Sequence, residues 1–288
     1  MEFLKGIGEF FLKILSFTIK VFIVLFMIAI FISAFSVGEL TTTKSPNLAE
    51  IKLEGAIMDE LEILKEIENI ANNQNIKGVL LNIDSPGGAL SPSVEISEAI
   101  KELNFKKPVI AYASGTMASG SYLSGVWATK IYANKGAFIG SIGVIMQGMN
   151  IAELNKKIGI STQTIKAGEY KEAGTMTREW TPEEKQSLQF LTDQSYALFT
   201  NEVASARKLD INNHKNWANA RVFIASDAVN VGLIDGISTY SKVKDEVAKA
   251  AKVSEQIWKQ KSKYDKFVDS MSTKIASLIM AEFSLKVR

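Results

Sequence analysis

The sequence predicts an α/β fold of repeated βα units, set behind one apolar N-terminal helix. Three observations lead there. Between residues 45 and 240, short apolar runs alternate with stretches of helical periodicity. Residues 21–38 carry no charge at all. Several of the strand-like runs break off in clusters of glycine, serine and proline, the punctuation of βα connections.

The N-terminal run comes first. VFIVLFMIAIFISAFSVG occupies residues 21–38, and eighteen helical residues rise roughly 27 Å, close to the hydrocarbon thickness of a bilayer. The preceding residues 1–20 are apolar on one face and hold Lys5, Lys13 and Lys20, while Glu39 follows the run. Positive charge stays on the cytoplasmic side, so residues 1–20 are expected inside and the rest of the chain outside. The competing reading is a cleaved signal peptide, cut near Ala34 and Ser36. Residues 39–48, with TTTKSPN at 41–47, read as a polar linker.

The body of the chain follows, with a domain expected over 49–240. Ile51–Ile57 is a strand candidate, and Leu61, Leu64, Ile67 and Ile70 mark a helix. GVLLNID, Gly78–Asp84, reads as a buried strand that stops at Ser85-Pro86-Gly87-Gly88. Val94–Leu103 is helical, Pro108–Ala113 is a strand, and Ser114–Gly125 is a strand-to-helix crossing made almost wholly of small residues. Ile131–Ala133 and Gly140–Met146 are further strand pieces. Thr181-Pro182-Glu183-Glu184 opens a long helix with an N-cap, a first-turn proline and a capping box. Residues 241–288 carry ten lysines, one arginine and six acids, and read as a basic helical tail with an apolar stripe from Phe267 to Phe283.

Composition narrows the chemistry. The 288 residues are 47% hydrophobic, enough for a core, and contain no cysteine and one histidine, His214. Thiol nucleophiles, cysteine-ligated metals and clustered-histidine metal sites are thereby excluded. If the chain does nucleophilic chemistry, its base is lysine or a carboxylate. No segment is basic enough to read as a nucleic-acid binder.

Two turns could hold a reaction. In Asp84-Ser-Pro-Gly-Gly88 the paired glycines let backbone approach a ligand and can present N–H groups to an oxyanion. In Ser114-Gly-Thr-Met-Ala-Ser119-Gly-Ser121-Tyr122 a serine at a helix start lies at the positive end of the dipole. Composition alone leaves Ser114 and Ser119 equal, since each sits in an Ala-Ser-Gly triplet. It also leaves the base open among 29 lysines.

The motifs together narrow this. Asp84–Gly88, Ala118-Ser119-Gly120, Gly140-Ser141-Ile142-Gly143-Val144, Gly168-Glu169-Tyr170-Lys171, Arg178–Glu184 and the stretch from Arg221 to Asp235 resemble the signal peptide peptidase A (protease IV) family in its short bacterial form. That resemblance implies a Clp protease/crotonase-like fold and a Ser/Lys-dyad serine peptidase. It implies Ser119 as nucleophile, Lys171 as general base, Ser141 as the residue that orients the lysine amine, and Gly88 and Gly120 as oxyanion donors. No metal or organic cofactor is required.

The same resemblance implies an enzyme anchored in the cytoplasmic membrane with its peptidase domain on the outer (periplasmic) side, acting on hydrophobic peptides such as cleaved signal peptides. It also suggests a homo-oligomer in which a site is shared between protomers, with a dyad closed within one chain as the alternative. Three positions depart from the family pattern: Ser121, Ala220 and Ala225 stand where glycine is frequent. Two other functions are carried as alternatives, a crotonase-type acyl-thioester enzyme and a catalytically silent envelope scaffold.

Overall fold

The computed structural model describes residues 13, 15–28, 30, 44–260 and 271. The chain divides into two units, one being Pro46–Lys259 and the other residues 1–45 with 260–288. In the latter, helix α1 is described over residues 15–28, and every large apolar side chain on it is at least 40% exposed. Among the described residues no helix is long and apolar enough to cross a membrane. Residue 29 and residues 31–38 of the expected span lie outside the described residues, as does the expected stripe from 267 to 283 except Met271.

The larger unit is a mixed α/β fold of alternating strands and helices. Its elements are β1 (Leu48–Ile57), α2 (Leu61–Asn72), β2 (Gly78–Gly88), α3 (Leu90–Lys106), β3 (Val109–Ala118), α4 (Gly120–Gly125), β4 (Lys130–Ala133) and β5 (Phe138–Gly140). Then come α5 (Ala152–Lys157), α6 (Pro182–Arg207), α7 (His214–Trp217), β6 (Val222–Ile224), α8 (Ala225–Asn230), β7 (Gly236–Ile237) and α9 (Tyr240–Ala250). The sheet runs β1-β2-β3-β4-β7, with all four of those pairings parallel. Strand β3 shares one edge between two partners: Ile110–Ala113 pair with β4, and Thr116–Ala118 pair with β5. Strand β6 then closes antiparallel on β5.

Strand β2 is buried without a break from Gly78 to Ile83, as expected of an inner strand covered on both faces. Helices α2 and α3 bury Ile67 and Ile70, and Ile96, Ile100 and Leu103, on their inward stripes, packing into the main core. The capping box of α6 forms as its sequence predicts. Thr181 Oγ1 accepts the Glu184 N–H at 3.2 Å, and the Glu184 carboxylate accepts the Thr181 N–H at 2.9 Å.

Several boundaries differ from the expected ones. Strand β2 continues through the predicted break to Gly88, because β1 keeps pairing with it as far as Ile57 and Gly88. Strand β3 extends past Ala113 to Ala118 on the new partner β5. The strand expected over Gly140–Met146 is instead Phe138–Gly140. It ends there because Gly140 and Ser141 both take positive φ, 104° and 48°, outside the extended region.

The expected domain boundary at 240 falls at the start of α9, which belongs to the packed unit. Val243, Val247 and Ala248 cover the second face of the sheet against Leu48, Leu80, Ile110 and Tyr112. Beyond α9 the chain returns to β1, where the Asn47 N–H donates to Ile257 O at 2.8 Å and the Lys259 N–H to Leu48 O at 2.8 Å.

Candidate active site

Parallel strands β2 and β3 lie side by side and deliver their C-terminal ends to the same edge of the sheet, where open α/β folds bind ligands. Ser85 is level with Met117 in the register, so the glycine turn of β2 meets the serine corner of β3. The fit is tight. A Cβ on Gly87 would lie 2.6 Å from the Gly120 nitrogen, 2.7 Å from Ala118 O and 2.8 Å from Ser119 Cβ. With φ at +91° as well, only glycine suits that position. A Cβ on Gly120 would lie 2.2 Å from Ser93 Oγ and 3.3 Å from the Gly88 nitrogen. The two expected oxyanion residues are therefore neighbours.

Ser119 occupies the corner between β3 and α4 with φ 53° and ψ −128°, a region that non-glycine residues rarely enter. Its backbone is held from both sides. The N–H donates to Gly140 O at 2.8 Å, and the carbonyl accepts from Tyr122 and Leu123 at 3.0 and 3.2 Å. Among the described residues its half-buried Oγ makes no hydrogen bond. Ser114 differs: it lies inside β3, and its Oγ donates to Ile83 O at 3.3 Å. The structure thus separates two triplets that composition left equal.

Ser141 follows Gly140 as Ser119 follows Ala118, and Ala118 and Gly140 are register partners. The two serines accordingly stand just past the end of one strand pair, both with positive φ. The Ser141 N–H donates to Arg221 O at 2.6 Å.

Lys171 sits elsewhere in the chain's architecture, on an exposed turn flanked by Gly168 and Gly174, with its N–H donating to Gly168 O at 3.3 Å. Among the described residues its Nζ makes no hydrogen bond or ion pair, with Ser119 or Ser141 or any other group. One chain therefore brings together Ser119, Ser141, Gly88 and Gly120, and leaves the lysine amine unattached. His214 starts α7, its Nδ1 2.9 Å from Ile211 O.

The fold also supplies residues that sequence reading passed over or read only as departures. Ser121 is fully buried, and its Oγ accepts the Ala118 N–H at 2.8 Å while lying 2.7 Å from Ser85 O and 2.9 Å from Ala118 O. A hydroxyl has one proton, which the shorter contact directs to Ser85 O. This departure from glycine is thus a clasp between the β2 turn and the β3 corner. Asp84 caps the same region, its Oδ1 accepting the Thr116 N–H at 2.8 Å. Of the other two departures, Ala220 has φ 55°, a glycine conformation, whereas Ala225 is an ordinary first-turn helix alanine.

Residues 101–254 match the description Peptidase family S49. A protein assigned as a protease in Synechocystis sp. is 36% identical over 200 residues, which is 69% of this chain and 72% of that one. The chain belongs to peptidase family S49. Another relative, assigned as a protease in Methanocaldococcus jannaschii, is 38% identical over 188 residues, covering 65% of this chain and 60% of its own length. A protein assigned as signal peptide peptidase SppA in Enterococcus faecium is 33% identical over 195 residues, covering 67% and 56%. The match thus reaches only part of each relative. Within S49, the matched stretch here includes the β3 corner with Ser119, the β5 end with Ser141 and the Lys171 turn.

Proposed function

We propose that this S49 chain is a serine peptidase on a Clp protease/crotonase-like fold, with Ser119 as nucleophile and Lys171 of a neighbouring protomer as base. The observation that carries the reading is the Ser119 corner: a strained serine with an unengaged hydroxyl, packed against the glycine turn that ends in Gly88. In the first step Ser119 Oγ attacks the peptide carbonyl carbon while neutral Lys171 Nζ takes its proton. The carbonyl oxygen becomes an oxyanion, met by the Gly88 and Gly120 N–H groups. As the C–N bond breaks, the lysine ammonium returns the proton to the leaving amine. Water then attacks the acyl-serine and gives a proton to Lys171 Nζ, and the ammonium passes that proton to Ser119 Oγ as the acyl C–O bond breaks and the carboxylic acid leaves. Ser141 would accept or donate a hydrogen bond to hold the amine in place.

The unattached Lys171 amine favours a site completed by a second copy over one closed within a chain. Exposed apolar residues on the stretch of chain that precedes it, Ile145, Met149, Ile158 and Ile165, suit burial against that copy. The substrates are hydrophobic peptides such as cleaved signal peptides, a reading supported by the name of the Enterococcus relative. Residues 21–38 anchor the chain in the cytoplasmic membrane, with the peptidase unit on the outer side. From residue 21 to residue 28 helix α1 carries only apolar side chains, all of them exposed, which supports an environment of lipid.

The test is to mix inactive Ser119→Ala and Lys171→Ala chains. A shared site restores activity wherever an intact serine meets an intact lysine. Absence of recovery in demonstrably mixed oligomers rejects sharing, and labelling of Ser114 rather than Ser119 by a fluorophosphonate probe rejects the nucleophile.

A further inference from the structure

The Lys171 turn has no hydrophobic anchor. From residue 143 to residue 183 not one residue is buried, so no core contact holds the amine's position within its own chain. The next residue on, Glu184, is 3% exposed and opens α6. Its carboxylate is fully engaged. Arg178 Nη2 donates to Oε1 at 2.7 Å, Arg178 Nη1 to Oε2 at 2.8 Å, and the Thr181 N–H to Oε2 at 2.9 Å. The same Arg178 Nη2 reaches Glu172 Oε2 at 3.0 Å. Glu172, the neighbour of Lys171, also accepts from Thr164 Oγ1 at 3.0 Å and pairs with Lys166 Nζ at 3.4 Å.

One guanidinium therefore ties the lysine turn to a buried, capped helix start. A planar fork can serve two carboxylates at fixed angles, which a lysine in its place cannot. Elsewhere the segment is held by neutral hydrogen bonds, among them Trp180 Nε1 donating to Thr175 O at 2.7 Å and the Ile151 N–H donating to Met176 O at 2.8 Å.

We propose that Glu172 and Arg178 are positioning residues that hold the Lys171 turn from the N-terminus of α6, so that the amine arrives at the nucleophile in register. This rests on Lys171 being the base. Neither residue touches substrate. Their effect is geometric, and a displacement of about 1 Å in a catalytic group can cost up to about 100-fold in rate.

Glu172→Ala in the full-length protein is the informative variant, because it removes both acceptor oxygens that tie the lysine turn to Arg178 and Thr164 and leaves the Arg178–Glu184 pair and the capping box whole. With a fluorogenic hydrophobic peptide, kcat per titrated active site should fall about tenfold. KM should stay at the wild-type value, and Tm should fall by no more than about 4 °C, since an ion pair this exposed contributes little to stability. Arg178→Gln should lower kcat and Tm together, and Arg178→Lys should not restore kcat. Wild-type kcat in Glu172→Ala overturns the proposal, and so does a loss that tracks the unfolded fraction of the variant. Lys171→Ala is run alongside: wild-type turnover there overturns the base assignment itself, and is read independently of the Glu172 result.

Discussion

Replacing Ser121 with alanine removes one oxygen atom from a fully buried position, and the structure says what that atom holds. Strands β2 and β3 stop pairing at Ser85 and Met117. One residue later the Ala118 N–H is taken up by Ser121 Oγ, whose proton goes to Ser85 O. Ser85 is 0% and Ala118 6% exposed, so water cannot replace the lost partner, and the space of one oxygen is too small to admit a molecule. A buried amide left unpaired costs about 1–3 kcal/mol. The weakened Ser85 carbonyl adds to this, which places the whole loss at about 2–4 kcal/mol. For a unit of this size each kcal/mol lowers Tm by about 2–4 °C. Ser121→Gly should do slightly worse, since glycine inside a helix costs about 1 kcal/mol more than alanine. Urea unfolding of the two variants measures the loss directly, and peptide hydrolysis should fall with it as the Gly88 turn and the Ser119 corner loosen relative to one another. If Ser121→Ala unfolds within 0.5 kcal/mol of wild type (about the scatter of an ordinary surface substitution), the hydroxyl is not a clasp and the reasoning fails.

Ala220→Gly should stabilise the protein by about 0.5–1 kcal/mol: relief of a left-handed alanine, worth about 1–2 kcal/mol, exceeds the added freedom of the unfolded chain. Equal or lower stability of this variant in urea unfolding would count against it. A chain ending at residue 240 should fail to fold, because Val243 and Val247 are both fully buried and contribute about 1.5–3 kcal/mol each, whereas one ending at 259 keeps those contacts. Circular dichroism of the two truncations separates them, and a folded 240-residue chain would contradict the packing described. Acid should weaken the α6 start. Arg178, and then the Thr181 N–H, hold the Glu184 carboxyl down to about 2, and Arg178 also lowers that of Glu172. A depressed carboxyl stabilises the fold above its unfolded value and loses that contribution as pH falls through the folded one. Stability should therefore decline from about pH 4.5 towards pH 2, and the decline should be shallower in Arg178→Gln. Parallel curves for variant and wild type would reject this.

What the sequence determined by itself was local. The Thr181–Glu184 cap, the inward stripes of α2 and α3 and the buried run of β2 each depend on residues a few positions apart, so their signals sit within one short window. The glycine turn at 85–88 and the serine-rich corner at 114–122 were also legible, as places where ordinary strand chemistry stops. The tertiary structure decided which of them meet. Ser114 and Ser119 share a triplet, and only the pairing of β3 with β5 makes one a strand residue and the other a corner. Ser121 read as a departure from glycine until Ser85, thirty-six residues earlier, supplied its partner. Helix α9 read as the start of a charged tail, because its few apolar residues find their counterparts on β1, β2 and β3 near the other end of the packed unit. Arg178 read only as the first residue of the family-like stretch 178–184, and its bond to Glu172 appears only when the turn folds back on it. Side chains that act through partners distant along the chain leave no periodic trace in sequence, since the chain's local conformation is the same whether or not the partner arrives.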